Sequence, residues 1–136
     1  MSCKYQSCSS LTSITISNSV TSLGWWCFSG CTSLTSITIP NSVTSLGGGC
    51  FQGCSRLTSI TIPNSVRSLG YNCFVGCSRL TSIYMLPSTP PSTDLGIFYG
   101  TSLKTVYVVN ENAKKVYQAQ GYGNYFAIVV KRTGIK

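Results

Sequence analysis

The chain has no histidine and only two acidic residues, Asp94 and Glu111, in 136 positions. Without histidine the commonest general base is missing, and a cysteine nucleophile has no imidazole to lower its pKa. The two carboxylates fall in different segments and offer no evident pair for glycoside chemistry. No phosphate-cradling loop occurs, since Gly47-Gly48-Gly49 occupies a repeat position and not a strand-to-helix junction. These absences argue against an enzyme, and nothing calls for a cofactor. Charge of both signs is scarce, at 9% of residues against roughly 25% in an ordinary globular domain. The formal charge of +8 therefore reflects missing acids. The basic residues fall singly or in pairs (Arg56, Arg67, Arg79, Lys104, Lys114-Lys115, Lys131-Arg132) and build no cationic stripe of the kind nucleic acid needs. No apolar run approaches the ~20 residues of a transmembrane helix, so no membrane insertion is expected. Met1-Ser2-Cys3-Lys4 leads straight into repeat-like sequence, without a secretory leader.

What is present is a repeat. The stretch LTSITIPNSVTSLGGGCFQGC, Leu34 to Cys54, recurs almost letter for letter from Leu11 and from Leu57, and Leu80 and Leu103 keep the same 23-residue count. A fixed period of this length marks a stacked architecture. With 43% hydrophobic residues the chain can bury one core and forms one domain. Each copy opens with a β-branched segment suited to a strand, from which Leu34, Ile37 and Ile39 stack on their counterparts. Pro40, Asn41 and Ser42 make a turn. Val43 and Leu46 mark a second extended piece, closed by Gly47. CFQGC is too short for an independent helix and reads as one helical or 3₁₀ turn with Cys50, Phe51 and Cys54 inward. On the helical side, curvature is expected to spread neighbouring rungs apart. At ~1.5–3 kcal/mol per large buried side chain, a rung offsets its ordering cost only when others lie against it.

The count divides the chain into a partial repeat (1–10), three full repeats (11–79), a degenerate repeat (80–102) and a strand–helix–strand cap (103–136). Tyr5 aligns with Phe28 and Cys8 with Cys31. Solenoid ends usually carry a polar cap, and none is visible at the amino end. The expectation is a longer array or a face that pairs with something, a second copy included. In the degenerate repeat Pro87, Pro90 and Pro91 rule out a regular second strand, and Ile97 or Phe98 takes the place of Phe74. Asn110 is a good N-cap and Glu111 suits the first helical turn. Ala113, Val116, Tyr117 and Gln120 share a face, Gly121 is a stop, and Tyr125 to Val130 is expected to cover the open end.

The unit LxxIxIPxxVxxLGxxxFxGC, carried by Leu34, Ile37, Ile39, Pro40, Val43, Leu46, Gly47, Phe51 and Cys54, resembles the BspA-like (treponemal-type) leucine-rich repeat. The proline-rich break, the Val-Tyr-Val strand, the helix bearing Tyr117 and the aromatics Tyr125-Phe126 are similar to the family's end module. The resemblance implies an α/β, β-rich, right-handed leucine-rich-repeat solenoid: a parallel sheet, short helical turns and a helix-containing cap. It further implies an exported protein at the cell surface that binds host or bacterial proteins in adhesion, with no catalytic residues. A departure is cysteine at Cys27, Cys50 and Cys73, where the family usually has alanine.

Seven of the eight cysteines obey the period, Cys3 being the exception. Three readings compete: buried thiols acting as small hydrophobes, disulfides between rungs, and a metal site, for which CxxxC without histidine has the wrong spacing. For binding, the outward strand positions, Thr38 and Thr61 among them, form a polar sheet face that continues as Tyr84 and Tyr107. Tyrosines there suit protein or glycan contacts. The positions after the glycine vary most: Trp25-Trp26, Gly48-Gly49 and Tyr71-Asn72. The tryptophans are either an interaction hot spot or a shield for the amino end. Two rival readings of the whole are a spacer or self-associating array, and ice or lattice binding by the Ser-Ile-Thr rows.

Overall fold

The computed structural model describes residues 5–131. Each LTSITI copy lays down a short strand, and each Ser-Leu pair near the middle of a repeat lays down a second. In chain order these are β1 (Ser13–Thr15), β2 (Ser22–Leu23), β3 (Ser36–Thr38), β4 (Ser45–Leu46), β5 (Ser59–Ile62), β6 (Ser68–Leu69) and β7 (Ser82–Met85). The cap adds β8 (Thr105–Val108), the helix α1 (Glu111–Ala119) and β9 (Ala127–Val130). All pairings are parallel at a shift of about one repeat, as Ile14 opposite Ile37 and Leu46 opposite Leu69 illustrate. One side of the solenoid carries β1–β3 and β5–β7–β8–β9, and a second carries β2–β4–β6. No ladder joins β3 to β5. Beside that break Ile37 stays half-buried, whereas Ile60 and Ile83 are buried.

The third side is made by the Gly-to-Cys stretches. Their internal bonds run three residues back, as from Cys54 N–H to the Phe51 carbonyl at 3.1 Å. They do not run on into helix, because a left-handed residue such as Gly53 (φ 76°) interrupts each turn. Only Leu95–Phe98, in the degenerate repeat, settles into a regular 3₁₀ helix on this side. The expected spreading of rungs does not occur here. Phe28 N–H donates to Cys50 at 2.8 Å, Phe51 N–H to Cys73 at 2.9 Å and Gly53 N–H to Val75 at 2.9 Å. Amides that a helix would have consumed are thus turned onto the next rung, which holds this side at sheet-like spacing.

The core follows the repeat. Tyr5, Phe28, Phe51, Phe74 and Phe98 form one column of rings with centroids 5.3, 5.5, 5.8 and 5.9 Å apart and planes within 11°. Phe98, not Ile97, continues the column, and Phe126 closes it edge-on at 5.4 Å. Offset parallel and edge-to-face rings add to area burial.

In the cap, the Asn110 side chain accepts from Ala113 N–H at 2.8 Å, which starts α1. Ala113 and Tyr117 are buried and Tyr117 donates its hydroxyl to the Pro87 carbonyl at 2.8 Å. Gln120, expected on the same face, is exposed, because the helix has ended and its amide bonds back to Val116 and Tyr117. Gly121 stops it in the left-handed region (φ 92°). The segment after it covers the last rung, with Phe126 edge-on to Phe98 and Ile128 in the core. It pairs with β8 as one more parallel rung, and β9 is itself the edge. Covering of the core is shared by α1, through Ala113 and Tyr117, and by Phe126 and Ile128. Cys3 and Arg132 lie outside the described residues.

Candidate binding surfaces

On the outward face of the larger sheet, register places Thr61 opposite Tyr84, Tyr84 opposite Tyr107, and Tyr107 opposite Val129. The Tyr84 and Tyr107 rings stack at 4.7 Å with planes 14° apart. Lys131 Nζ lies 5.2 and 5.4 Å from the two ring centroids, a cation–π contact that partly covers the pair. Thr38 is exposed in the equivalent row of β3, across the break from Thr61. The threonines at the strand entries serve the fold itself. Thr35 Oγ1 donates to the Thr12 carbonyl at 3.1 Å and Thr81 Oγ1 to that of Thr58 at 3.4 Å.

The second surface is an edge where the copies disagree. Trp25 and Trp26 are 61% and 44% exposed and meet edge-on at 5.5 Å. They lie against the glycines of the next rung, and Trp26 also borders a hollow that includes Gln6 near the amino end. A Cβ on Gly48 would stand 3.0 Å from the Trp25 ring, and one on Gly49 would stand 2.2 Å from Cδ1 of Trp26. Gly48 and Gly49 are accordingly buried. Trp26 is held at φ 54°, a region bulky residues rarely enter, and Gly49 in the same place of the next rung has φ 65°. Tyr71, one rung further, is 75% exposed. The tryptophans and glycines that looked like independent variation are a pair of rings and their seat.

The cysteines face the other way. Cys31, Cys54 and Cys77 donate their thiols to the carbonyls of Tyr5, Phe28 and Phe51 at 2.9, 3.2 and 3.1 Å. Each therefore stitches its rung to the ring column one repeat earlier. Burial raises the pKa of Cys31, Cys54, Cys73 and Cys77, that of Cys77 to about 12. A thiol held in its neutral form is a poor nucleophile. Among the described residues no three Cys, Asp or Glu side chains converge to hold a metal ion.

Sequence reading missed two candidate contact residues, one in the degenerate repeat and one in the cap. Tyr99 and Tyr125 are 79% and 71% exposed and line one hollow with Asp94. Tyr99 follows the column residue Phe98, where the full repeats have Ser29, Gln52 and Val75, so it was legible as a departure from the script.

A family model described as "BspA type Leucine rich repeat region" matches residues 2–120 in six copies. A leucine-rich repeat protein of T. pallidum is similar in structure, with a TM-score of 0.69 and 29% identity over 76% of this chain and 48% of that one. The pneumococcal vaccine antigen PcpA has a TM-score of 0.67 at 19% identity, over 89% of this chain and 36% of that one, which shows the shared fold. The chain thus spans about half the length of the first and about a third of the second. No curated protein matches.

Proposed function

Because the chain belongs to the BspA-type leucine-rich-repeat family, we propose that it is a non-enzymatic protein-binding module of a bacterial surface protein, acting in adhesion outside the cell. The observation that carries this reading is the Trp25–Trp26 pair. Two large rings stand in solvent on a socket of buried glycines, and seating them in advance lowers the entropy that binding would otherwise cost. Tryptophan is the side chain most enriched among contacts that dominate interface energy. Thr38, Thr61 and the Tyr84–Tyr107 stack on the sheet face supply a second, more polar area, and tyrosine gives contact area at low conformational cost. The T. pallidum and pneumococcal proteins support the bacterial setting.

The test is surface capture of the immobilised chain against purified host extracellular and bacterial surface proteins. For a captured partner, Trp25→Ala with Trp26→Ala should weaken binding by about 100-fold, two hot spots of roughly 1.4 kcal/mol or more each. Tyr84→Ala with Tyr107→Ala should weaken it less. Full retention of binding by the tryptophan variant overturns the assignment.

A further inference from the structure

Two hollows open side by side in the carboxy-terminal half of the molecule, and Asp94 lines both. One, of about 390 Å³, is bounded by Asp94, Tyr99 and Tyr125, with Phe98 and Phe126 as its more buried lining. The other, of about 380 Å³, runs from Asp94 past Ser92 and Thr93 to Tyr71. Each has the size of a small-ligand site. Their three tyrosines, at 75, 79 and 71% exposure, are the most exposed large aromatic side chains among the described residues. We propose that the two hollows form one groove for a neutral oligosaccharide, with Tyr99 and Tyr125 against one sugar, Tyr71 against another and the Asp94 carboxylate accepting hydroxyl hydrogens between them.

The chemistry of the groove selects that class. A sugar ring offers a face of polarised C–H bonds and a rim of hydroxyls. Aromatic faces carry negative quadrupole charge that attracts such C–H groups, and an ionised carboxylate is a pure acceptor that makes short, strong bonds to O–H donors. Asp94 Oδ1 accepts from Gly96 N–H at 2.8 Å, where it caps the 3₁₀ turn Leu95–Phe98. That bond orients the carboxylate and leaves acceptor capacity for a ligand. Tyr125 is backed by Phe126 at 6.1 Å. An anionic sugar would meet Asp94, one of only two acids in the chain, while a cationic ligand would be opposed by the +8 net charge. A neutral ligand meets neither barrier. Neither Trp25 nor Trp26 lines these hollows, although Tyr71 lies two rungs along the same edge.

Calorimetric titration of the full chain with neutral tetrasaccharides of glucose, mannose, galactose and N-acetylglucosamine tests the proposal, alongside a sialylated tetrasaccharide and a proline-rich peptide. At least one neutral tetrasaccharide should bind. Tyr99→Ala with Tyr125→Ala should weaken it by about tenfold or more and Asp94→Asn by roughly threefold to tenfold. Trp25→Ala with Trp26→Ala should leave it unchanged, so this proposal and the protein-binding reading fail separately. Tyr99, Tyr125 and Asp94 are exposed, so unchanged thermal melting verifies that the groove variants fold. The proposal is overturned if no neutral tetrasaccharide binds at millimolar concentration. It is equally overturned if the tyrosine variant retains affinity, or if the sialylated sugar or the peptide binds the groove in preference.

Discussion

Gly49→Ala tests the seat under Trp26 directly. The new Cβ would lie 2.2 Å from Cδ1 of Trp26, where ordinary contact needs well over 3 Å, so the ring must leave. Two costs follow. Alanine in the left-handed region at φ 65° costs about 1–2 kcal/mol. Trp26 is 44% exposed, so it buries about half of the 150–250 Å² a large aromatic can cover, roughly 100 Å², worth about 2.5 kcal/mol at 25 cal/mol per Å². The sum is about 3.5–4.5 kcal/mol. In a Trp26→Ala background only the backbone cost remains, so the same substitution should cost about 1–2 kcal/mol, a coupling of about 2.5 kcal/mol. Urea unfolding of the four chains measures this. The chain has only two tryptophans, so a red-shifted emission in Gly49→Ala should report the displaced ring. Gly70→Ala is the control. Its Cβ would strike the Gly48 backbone nitrogen at 2.4 Å, a clash that removing Trp26 cannot relieve. Equal costs of Gly49→Ala in both backgrounds would refute the seat.

Two further predictions concern the interior. Burial raises the thiol pKa values of Cys54, Cys73 and Cys77 above the ordinary 9.0, so above that pH the unfolded chain releases protons that the folded chain keeps. Stability should be fully present below pH 9 and fall as pH rises toward 12, by up to about 1.4 kcal/mol per pH unit for each thiol. Urea midpoints at pH 8, 9 and 10 measure the slope, Cys77→Ala should reduce it, and a flat profile would contradict the burial argument. The two cap tyrosines should respond in opposite ways. Tyr117→Phe deprives the Pro87 carbonyl of its donor and should cost about 1 kcal/mol, whereas the Tyr122 hydroxyl is buried without a hydrogen-bond partner, so Tyr122→Phe should be neutral or stabilising. Thermal melts of the two variants decide between these signs.

Much of this architecture was open to reading from the period alone. Identical residues at a constant interval must stack on one another, so the phenylalanine column, the parallel register and the inward cysteines follow once stacking is granted. Asn110 and Gly121 were readable for a different reason: caps and stops act locally, within a turn of the residues that form them. How Tyr125 to Val130 covers the end was not, because an apolar segment serves equally as a lid or as another rung. Pairing with β8 satisfies its backbone groups, and that decided the matter. The spacing of the turn side was also misjudged, since the direction of an amide after a left-handed residue is invisible in a string of letters.

The binding surfaces divide in the same way. Tyr84 and Tyr107 could be placed side by side because parallel register maps sequence distance onto space. Their contact with Lys131 could not, since it depends on where the chain goes after β9. Likewise Trp25-Trp26 and Gly48-Gly49 read as separate departures from the repeat until the rings were seen lying on the glycines, and only the fold put Asp94 in one hollow with Tyr99 and Tyr125 and in another with Tyr71. By itself the sequence determined the stacking, because periodic burial admits one solution. Only the tertiary structure decided which exceptions meet, because contact between non-equivalent positions rests on side-chain direction and chain path, which no period encodes.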